Sequence, residues 1–510
     1  MKKKTQPESP QKTPLITLFT GKKEFILIPI LLVLFTLFRL PYLNSDNYIL
    51  DGDEAVVGLM VKHFSEGTDV PFFFYGQEYG FCFIEVIAAT PYYWVMGPTD
   101  FALNLGMLSL FTLGVFFLYR ITLHSSKNFL FSLLLSVFMG VFPVWIIWAT
   151  KARGGYESAF FLSMLLLWLV LVKWKEKQPN IVTGLIVGAI LGLVWLAQPL
   201  WLSGLLPFVV YYFVKDKSFN GLFASIVSAG FISYAIKSTL TVSDWYTPSK
   251  SFGGIKLENI GDLTNWLYHT FSGWYYLDVL YDVPPATKVL AGVSVILFIA
   301  LAIYGVLQYK KDKLQFMAGM SLIFSLGIAG IMLKENPRYL LPAAFFLFVA
   351  MAVILSQFLE KKSTVVNGIL FGLITLGLIG SFEFRDYCFQ KFNEKVNQRS
   401  EIKKLARFLE VNNEKYAISS GYLLHWQLMF YSEEKVIVRY MSKVDRYPEY
   451  PQKIDAFLDE GGTIPMVGFM GLYRGLDQHP KLQEAQQVGN AYFYLPGFDK
   501  AFLEQLQYKF

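Results

Sequence analysis

Eleven apolar segments, most of them about 20 residues long, run through this chain of 510 residues. A helix of that length crosses the hydrocarbon core of a bilayer, and it keeps its backbone hydrogen bonds inside the segment. The segments lack the alternation of apolar and polar residues that a membrane β-barrel needs. We therefore predict an all-α membrane protein whose spans cover residues 25–43, 101–122, 127–149, 157–174, 180–198, 201–215, 219–240, 286–309, 314–333, 339–359 and 364–382.

The composition agrees with a membrane protein and excludes a soluble one. Hydrophobic residues make up 54% of the chain and charged residues only 16%, whereas soluble domains carry about 25% charged residues. The formal net charge of +6 would suit nucleic acid. However, the Lys and Arg residues cluster at the ends of the apolar segments, so we interpret them as topology signals and expect no nucleic-acid partner.

The basic clusters predict an orientation, because Lys and Arg concentrate in cytoplasmic loops. Lysines precede the first segment and no cleavage site follows it, which indicates an uncleaved span with a cytoplasmic N-terminus. Alternation along eleven spans then places the later Lys clusters in the cytoplasm. The regions predicted at the outer face are 44–100, 150–156, 238–285, 334–338 and the C-terminal segment.

Three parts follow from this topology. They are a cytoplasmic tail (1–24), a transmembrane domain (25–383) that includes the outer loop 44–100, and a soluble extracytoplasmic domain (384–510). In the third part, short apolar runs alternate with helical stretches, a pattern typical of a small α/β unit. Predicted strands cover 435–439, 463–468 and 491–495, and predicted helices cover 401–410, 421–431, 451–459 and 499–507.

A cluster of carboxylates follows the first span, in the sequence DGDEAVVG at 51–58. Asp51, Asp53 and Glu54 come directly before a pattern that predicts an amphipathic helix on the outer membrane surface. Asp53 could simply cap this helix, since Asp is a preferred N-cap residue. Capping explains one carboxylate and not three, so we expect a functional site here.

Aromatic and polar residues are mixed farther along the same loop, in PFFFYGQEYG at 71–80. Aromatic residues are common at membrane interfaces. Combined with Gln77 and Glu78, Tyr75 and Tyr79 also suit a sugar-binding wall, in which flat rings cover ring carbons and polar groups bind hydroxyls.

Two arginines depart from the expected charge distribution by lying at the outer face. Arg153 occurs in KARGGYES and Arg338 in KENPRYLLP. Each could be an interfacial side chain that reaches water. Arginine is also a natural phosphate ligand, because its guanidinium binds two oxygens at once and stays charged. Carboxylates and arginines on one face point to a reaction in which a phosphate leaves.

In this order along the chain, these motifs resemble the GT-C class of integral membrane glycosyltransferases. That class uses polyprenyl-phosphate-linked sugars and includes protein O-mannosyltransferases and lipid A aminoarabinose transferases. The resemblance rests on the pair Asp53-Glu54, on YGQEYG at 75–80, on RGGYE at 153–157, on RYLLP at 338–342 and on the α/β tail. It implies a GT-C-like fold in a bacterial cytoplasmic membrane. It also implies transfer of a hexose or pentose to an acceptor hydroxyl at the outer face, with inversion.

Roles for individual residues follow from the resemblance. Asp53 is expected to act as the catalytic base, and Glu54 to orient Asp53 or hold the acceptor. Donor phosphate binding is assigned to Arg338, Arg153 and Lys334. The expected substrate-binding residues are Asp51, Tyr75, Gln77, Glu78, Tyr79, Tyr156, Glu157 and Tyr339.

The expected partners are a polyprenyl-phosphate-linked sugar, a lipid, glycan or protein acceptor, and membrane lipids. Asp51-Gly52-Asp53 also spells the DxD pattern of nucleotide-sugar transferases of another fold, which leaves a divalent metal at Asp51 and Asp53 open. No other cofactor is indicated. The two cysteines, Cys82 and Cys388, lie on the same predicted side, which leaves a single bridge open as well.

Two other functional classes compete with the enzyme. A transporter or flippase of lipid-linked sugars would carry ionisable residues near the middle of its spans and often shows internal repeats. Here the spans are nearly free of charge and the acidic cluster lies in an outer loop. A non-catalytic scaffold on a transferase fold is the second alternative, and the intact carboxylates argue against it.

Overall fold

The computed structural model describes residues 21–46, 48, 50–239, 261–273, 283–332, 337–360, 364–391, 399–441, 445–473, 476 and 479–508. Within them, seven helices are long and apolar enough to cross a membrane, and four shorter apolar helices bring the set to eleven at the predicted positions. The helices are Leu27–Leu43, Asp100–Ser126, Phe129–Val141 continued by Pro143–Trp148, Tyr156–Trp168, Ile181–Ala197, Leu202–Val214, Phe219–Lys237, Pro285–Leu307, Lys313–Met332, Leu341–Ala350 continued by Ser356–Glu360, and Thr364–Lys391.

One charged side chain lies deep among these spans and has a structural explanation. The third span is divided at Pro143 into two helices, and the carbonyl groups in the last turn of each helix are available to a side-chain donor. Arg39 of the first span donates to the carbonyl oxygens of Gly140 (2.6 Å), Trp145 (2.8 Å) and Ile146 (3.1 Å). A buried charge in lipid needs such partners, so Arg39 ties the first span to the break in the third.

Different sets of loops lie at the two ends of the bundle of membrane helices. At one end, Lys175 Nζ lies 3.2 Å from His124 Nε2, and Lys215 Nζ donates to the carbonyl oxygen of Lys175 at 2.9 Å. These loops are the ones predicted to be cytoplasmic. The regions predicted at the outer face meet at the opposite end, where Arg153 contacts Asp53 and Arg399 contacts Asp100. The grouping agrees with the predicted alternation, and the orientation in a membrane stays a prediction.

The C-terminal residues form the predicted α/β unit, which we call the soluble domain (399–508). Its strands are β1 (Tyr416–Ser419), β2 (Ile437–Tyr440), β3 (Ile464–Phe469), β4 (Gln486–Val488) and β5 (Tyr492–Phe498). They form one sheet with the order β2-β1-β3-β5-β4. Strands β1 and β3 are parallel to each other, as are β1 and β2, whereas β5 is antiparallel to β3 and β4. The helices of this domain are Arg399–Val411, Leu424–Tyr431, Glu449–Asp459 and Lys500–Gln505.

Helix Gly52–Ser65, which we call the site helix, forms at the predicted place but in a different environment. We expected one face on lipid and the other in water. Instead, Val56, Val57 and Val61 are all fully buried. The reason is that the soluble domain covers the helix: a Cβ on Gly58 would lie 2.4 Å from the ring of Phe430. The site helix is therefore enclosed between the membrane bundle and the soluble domain.

Two further helices, Phe83–Met96 and Leu263–Phe271, lie among the regions predicted at the outer face. Cys82, just before the first of them, is a buried free thiol, and so is Cys388. The bridge that the sequence left open is therefore not formed.

Candidate functional site

The first turn of the site helix determines where its three carboxylates point. Asp51, not Asp53, is the N-cap residue: its Oδ1 accepts from the Glu54 backbone N–H at 3.0 Å. Glu54 Oε2 in turn accepts from the Asp51 backbone N–H at 3.0 Å, which completes a capping box. Asp53 therefore does not cap the helix, and its carboxylate is available for other contacts.

Asp53 lies between two arginines from distant parts of the chain. Its Oδ2 is 3.2 Å from Nη2 of Arg153, and its Oδ1 is 2.9 Å from Nη1 of Arg446. Arg153 also bridges to Asp51, with 3.3 Å between Nε and Oδ2. The Asp53 side chain keeps 24% of its surface exposed. The carboxylate is thus held in place and still open to a substrate.

Glu54, the other predicted catalytic residue, has no exposed surface. Its Oε2 lies 2.5 Å from Nζ of the equally buried Lys151, and its Oε1 accepts from the Tyr48 hydroxyl at 3.3 Å. Burial raises the pKa of Glu54 to about 7, although Lys151 beside it acts in the opposite direction. These contacts favour the orienting role over contact with an acceptor, because Glu54 fixes the turn that presents Asp53.

Two glycines explain how the segment after the third span brings Arg153 to Asp53. Gly154 and Gly155 have φ values of 70° and 98°, a region that residues with a Cβ rarely adopt. A Cβ on Gly155 would also lie 2.8 Å from the carbonyl oxygen of Phe81 and 2.9 Å from that of Ala197. The sequence RGGYE therefore makes a tight turn directly beside the aromatic loop (residues 71–82).

Arg338 belongs to the same cluster through two tyrosines. Its Nη2 donates to the Tyr339 hydroxyl at 3.0 Å, and its charge interacts with Tyr156 and Arg153. Tyr156 also interacts with the charge of Asp53, and its ring lies 5.3 Å from that of Trp148. Among the described residues of this cluster, the guanidinium groups of Arg153, Arg338 and Arg446 outnumber the carboxylates of Asp51 and Asp53 by one. The excess positive charge suits an anionic ligand.

Arg446 was not anticipated from the sequence. It belongs to the soluble domain, 393 residues after Asp53, and its guanidinium lies 4.6 Å from the ring centre of Phe74 in the aromatic loop. A single arginine in a polar segment gives no periodic or motif signal. Lys151 was also missed, although it stands in the KARGGYES motif from which Arg153, Tyr156 and Glu157 were selected.

Tyr75, which is predicted to bind substrate, contacts a buried polar network. Its hydroxyl lies 2.6 Å from His63 Nδ1, and His63 Nε2 lies 3.0 Å from Glu434 of the soluble domain. Glu434 also accepts from Tyr450 (2.6 Å) and Lys62 (2.7 Å). Burial would raise the pKa of Glu434, but the hydrogen bonds from His63, Lys62 and Tyr450 outweigh it and lower the pKa to about 2. This network joins the far end of the site helix to the soluble domain.

The other predicted site residues lie at varying distance from this centre. Gln77 and Glu78 are half-buried in the aromatic loop, and the Tyr79 side chain is 53% exposed. Glu157 is buried in the first turn of helix Tyr156–Trp168, where its backbone N–H donates to Glu85 Oε1 at 3.1 Å. Lys334 lies outside the described residues.

The divalent metal that the DxD pattern left open does not fit this arrangement. Both oxygens of Asp53 and one oxygen of Asp51 contact arginine nitrogens. Positive guanidinium groups at these positions repel a cation. Within the described part of the chain, no group of three or more His, Cys, Asp or Glu side chains could hold a metal ion. We therefore assign no step to a metal.

Comparison with known proteins identifies the fold. A scan against protein-family models gives no match, and a search among curated proteins gives none either. Among solved structures, ArnT from Cupriavidus metallidurans in the apo state matches with a TM-score of 0.59 at 11% sequence identity, over 93% of this chain and 98% of that one. ArnT bound to undecaprenyl phosphate matches with a TM-score of 0.59 at 11% identity, over 94% and 99% of the two chains. The predicted GT-C-like fold is confirmed over nearly the whole length.

Proposed function

We propose that this protein is a glycosyltransferase that moves a monosaccharide from a polyprenyl-phosphate donor to an acceptor hydroxyl at the outer face of the cytoplasmic membrane. The observation that carries the proposal is the accessible Asp53 carboxylate beside Arg153, with Arg338 in the same cluster. The shared fold with ArnT, one structure of which holds undecaprenyl phosphate, supports it. The carboxylate and the arginines supply the two things that the reaction needs, a base and a phosphate site.

Asp53 is proposed as the catalytic base. The acceptor oxygen attacks the anomeric carbon while its proton passes to Asp53, and the bond between that carbon and the phosphate oxygen breaks. The electron pair of that bond leaves with the polyprenyl phosphate. One attack from the face opposite the leaving group inverts the anomeric carbon. No second carboxylate needs to act, which agrees with the full burial of Glu54.

Arg338, Arg153 and Lys334 are proposed to bind the donor phosphate. The leaving phosphate gains negative charge in the transition state, so fixed positive groups around it lower the barrier. Arg153 now contacts Asp51 and Asp53. A phosphate would compete for the same guanidinium, and a shift of Arg153 toward it would free one oxygen of Asp53 for the acceptor proton.

The residues around this centre are proposed to shape the substrate pocket. Tyr156 and Tyr339 adjoin Arg338, and the exposed Tyr79 with Gln77 and Glu78 extends the polar surface along the aromatic loop. Tyr75 and Glu157 are better placed to support these groups than to touch substrate, since one contacts His63 and the other is buried beside Glu85. Asp51 supports Arg153 and the helix start.

A transfer assay tests the proposal. Purified protein in vesicles would be given radiolabelled hexoses and pentoses on undecaprenyl phosphate, with a membrane extract as the acceptor pool. We expect label to reach the acceptors with wild type, with and without a chelator, and not with Asp53→Asn. If no donor in the panel gives transfer while the protein still moves such lipids across the bilayer, the transporter class replaces the enzyme.

A further inference from the structure

We propose that Arg446 of the soluble domain is a positioning residue of the reaction site, so that the site is assembled from both domains. This inference rests on the proposed function and adds a residue that the sequence did not indicate. Its basis is the contact of 2.9 Å between Arg446 Nη1 and Asp53 Oδ1, together with the packing that fixes the segment 445–447.

The backbone at Arg446 is pressed against the aromatic loop. Gly76 has a φ of 65°, and a Cβ there would lie 2.7 Å from both the Cα and the carbonyl oxygen of Arg446. Only glycine allows so close an approach between these two backbone segments. The Arg446 guanidinium also lies over the ring of Phe74, in the same loop, at 4.6 Å from the ring centre. Both contacts restrict where the guanidinium can lie.

The residues on either side of Arg446 are anchored as well. The Asp445 side chain is only 4% exposed, accepts from the Tyr447 backbone N–H at 3.1 Å and lies 3.5 Å from His425 Nε2. The Tyr447 ring lies 4.7 Å from that of Tyr75 and 5.8 Å from that of His63. The segment therefore joins the soluble domain to the aromatic loop and the site helix at the same point. An exposed arginine on a loose loop would lack these contacts.

The sheet topology explains why the soluble domain presents this segment to the membrane part. Strands β1 and β2 are parallel, so their carboxyl ends lie at one edge of the sheet. The chain after β1 leads to Leu423, whose Cβ would be 2.4 Å from a Cβ on Gly52, and the chain after β2 leads to Arg446. Loops at the carboxyl ends of parallel strands are where α/β folds commonly bind ligands. Here that edge faces the start of the site helix.

The position of Arg446 predicts which step it serves. Arg153 and Arg446 hold different oxygens of Asp53. When a donor phosphate draws Arg153 away, Arg446 remains to orient the carboxylate toward the acceptor hydroxyl. Its loss should therefore slow the chemical step and leave donor binding nearly unchanged, since positioning contributes to kcat more than to KM.

The test compares Arg446→Gln and Arg446→Lys with Arg407→Gln, which removes an exposed arginine from helix Arg399–Val411 of the same domain. We expect Arg446→Gln to lower kcat by about 10- to 100-fold, with the donor KM within about 3-fold of wild type. Arg446→Lys should recover part of kcat because it keeps the charge. Arg407→Gln should match wild type.

The outcomes separate this inference from the function on which it rests. Transfer by wild type with an unchanged kcat in folded Arg446→Gln would overturn the inference and leave the function standing. A rise in donor KM alone would also overturn it, since it would make Arg446 a donor ligand. If Arg446→Gln does not fold, Arg446→Lys decides: a lowered kcat with an unchanged donor KM supports the inference, and a kcat equal to that of wild type overturns the requirement for a guanidinium at this position. Absence of transfer by wild type would overturn both proposals.

Discussion

Two arginines of the soluble domain bind aspartates of the membrane part, and the two pairs differ in how completely the aspartate is satisfied. Arg399 Nε lies 2.7 Å from Asp100 Oδ2, its Nη2 contacts the other oxygen, and Tyr431 donates to Asp100 at 2.9 Å. The Asp100 side chain is only 2% exposed. Asp53 receives single contacts from two arginines and remains 24% exposed.

This difference distinguishes an ion pair that attaches the soluble domain from one that can take part in a reaction. Asp100 has partners on both oxygens and little contact with solvent, which suits attachment of the soluble domain and not contact with a substrate. Asp53 has the same kind of partner but remains partly exposed, and in the proposed reaction Arg153 turns from Asp53 to the phosphate, which leaves one Asp53 oxygen open to an acceptor. An ion pair between the two domains therefore does not by itself indicate function. The exposed fraction of the carboxylate and the number of its contacts are the better indicators of function.

The largest expected effect is on catalysis at Asp53. Asp53→Asn should reduce transfer by about 100- to 10,000-fold, the usual contribution of a general base, and its thermal unfolding midpoint should stay near that of wild type. Asp100→Asn is the matched control and should keep the transfer rate per folded molecule. Equal loss of rate in both variants, measured on folded protein, would remove the distinction between the two pairs.

The next effect is on stability at the attachment pair. Arg399→Gln leaves Asp100 buried with fewer partners, and breaking a buried pair in this way costs about 3–5 kcal/mol. We expect a lower midpoint of thermal unfolding and easier proteolysis between the spans and the soluble domain. The kcat of the remaining folded protein should be close to that of wild type. An unchanged midpoint would show that Asp100 does not attach the domain.

The third effect depends on pH and concerns Glu434. Its pKa is lowered from 4.5 to about 2 in the folded protein. Ionised Glu434 therefore stabilises the domain contact above pH 4.5, and this contribution is lost as the pH falls toward 2. At pH 7 we expect Glu434→Gln to be less stable than wild type, by up to about 3 kcal/mol. Unfolding measured at several pH values should show this gap closing below pH 4.5, and a constant gap would contradict the account.

The smallest effect should come from Tyr75→Phe. The substitution removes the hydrogen bond of 2.6 Å to His63 and keeps the ring packed on Tyr447. We expect a loss of about 1 kcal/mol in stability and a transfer rate within about 2-fold of wild type. A large rise in donor KM without loss of stability would instead restore Tyr75 to the substrate-binding surface.

The fold was predictable from the sequence because its signals are local. The length of each apolar segment can be measured in the sequence itself. The break at Pro143 lies inside a segment that the sequence predicts as one span. Strands β2, β3 and β5 appeared as short apolar runs. Strand β1 (YAIS) and strand β4 (QQV) were missed, because four and three residues of mixed polarity give no pattern. Their pairing depends on neighbours that are distant in sequence.

The site was predictable only in part, for the same reason. Asp53, Arg153 and Arg338 could be selected because each stands out in its own segment. The residues around Arg446 and Glu434 give no sign that these two contact the site helix. Arg446 contacts Asp53, 393 residues earlier, and Glu434 contacts His63, 371 residues earlier. The sequence left capping by Asp53 open for a related reason: DGDE contains two Asp residues, and only the contacts of Glu54 show that Asp51 is the cap.

Binding of a lipid phosphate is the most direct test of the central claim, that Arg153 and Arg338 belong to a phosphate site next to Asp53. Undecaprenyl phosphate and undecaprenol would be titrated against purified wild type, Arg338→Gln and the control Arg407→Gln. We predict that wild type and the control bind the phosphate at least 10-fold more tightly than the alcohol, and that Arg338→Gln loses most of this preference. Equal binding of the two lipids by wild type would contradict the account.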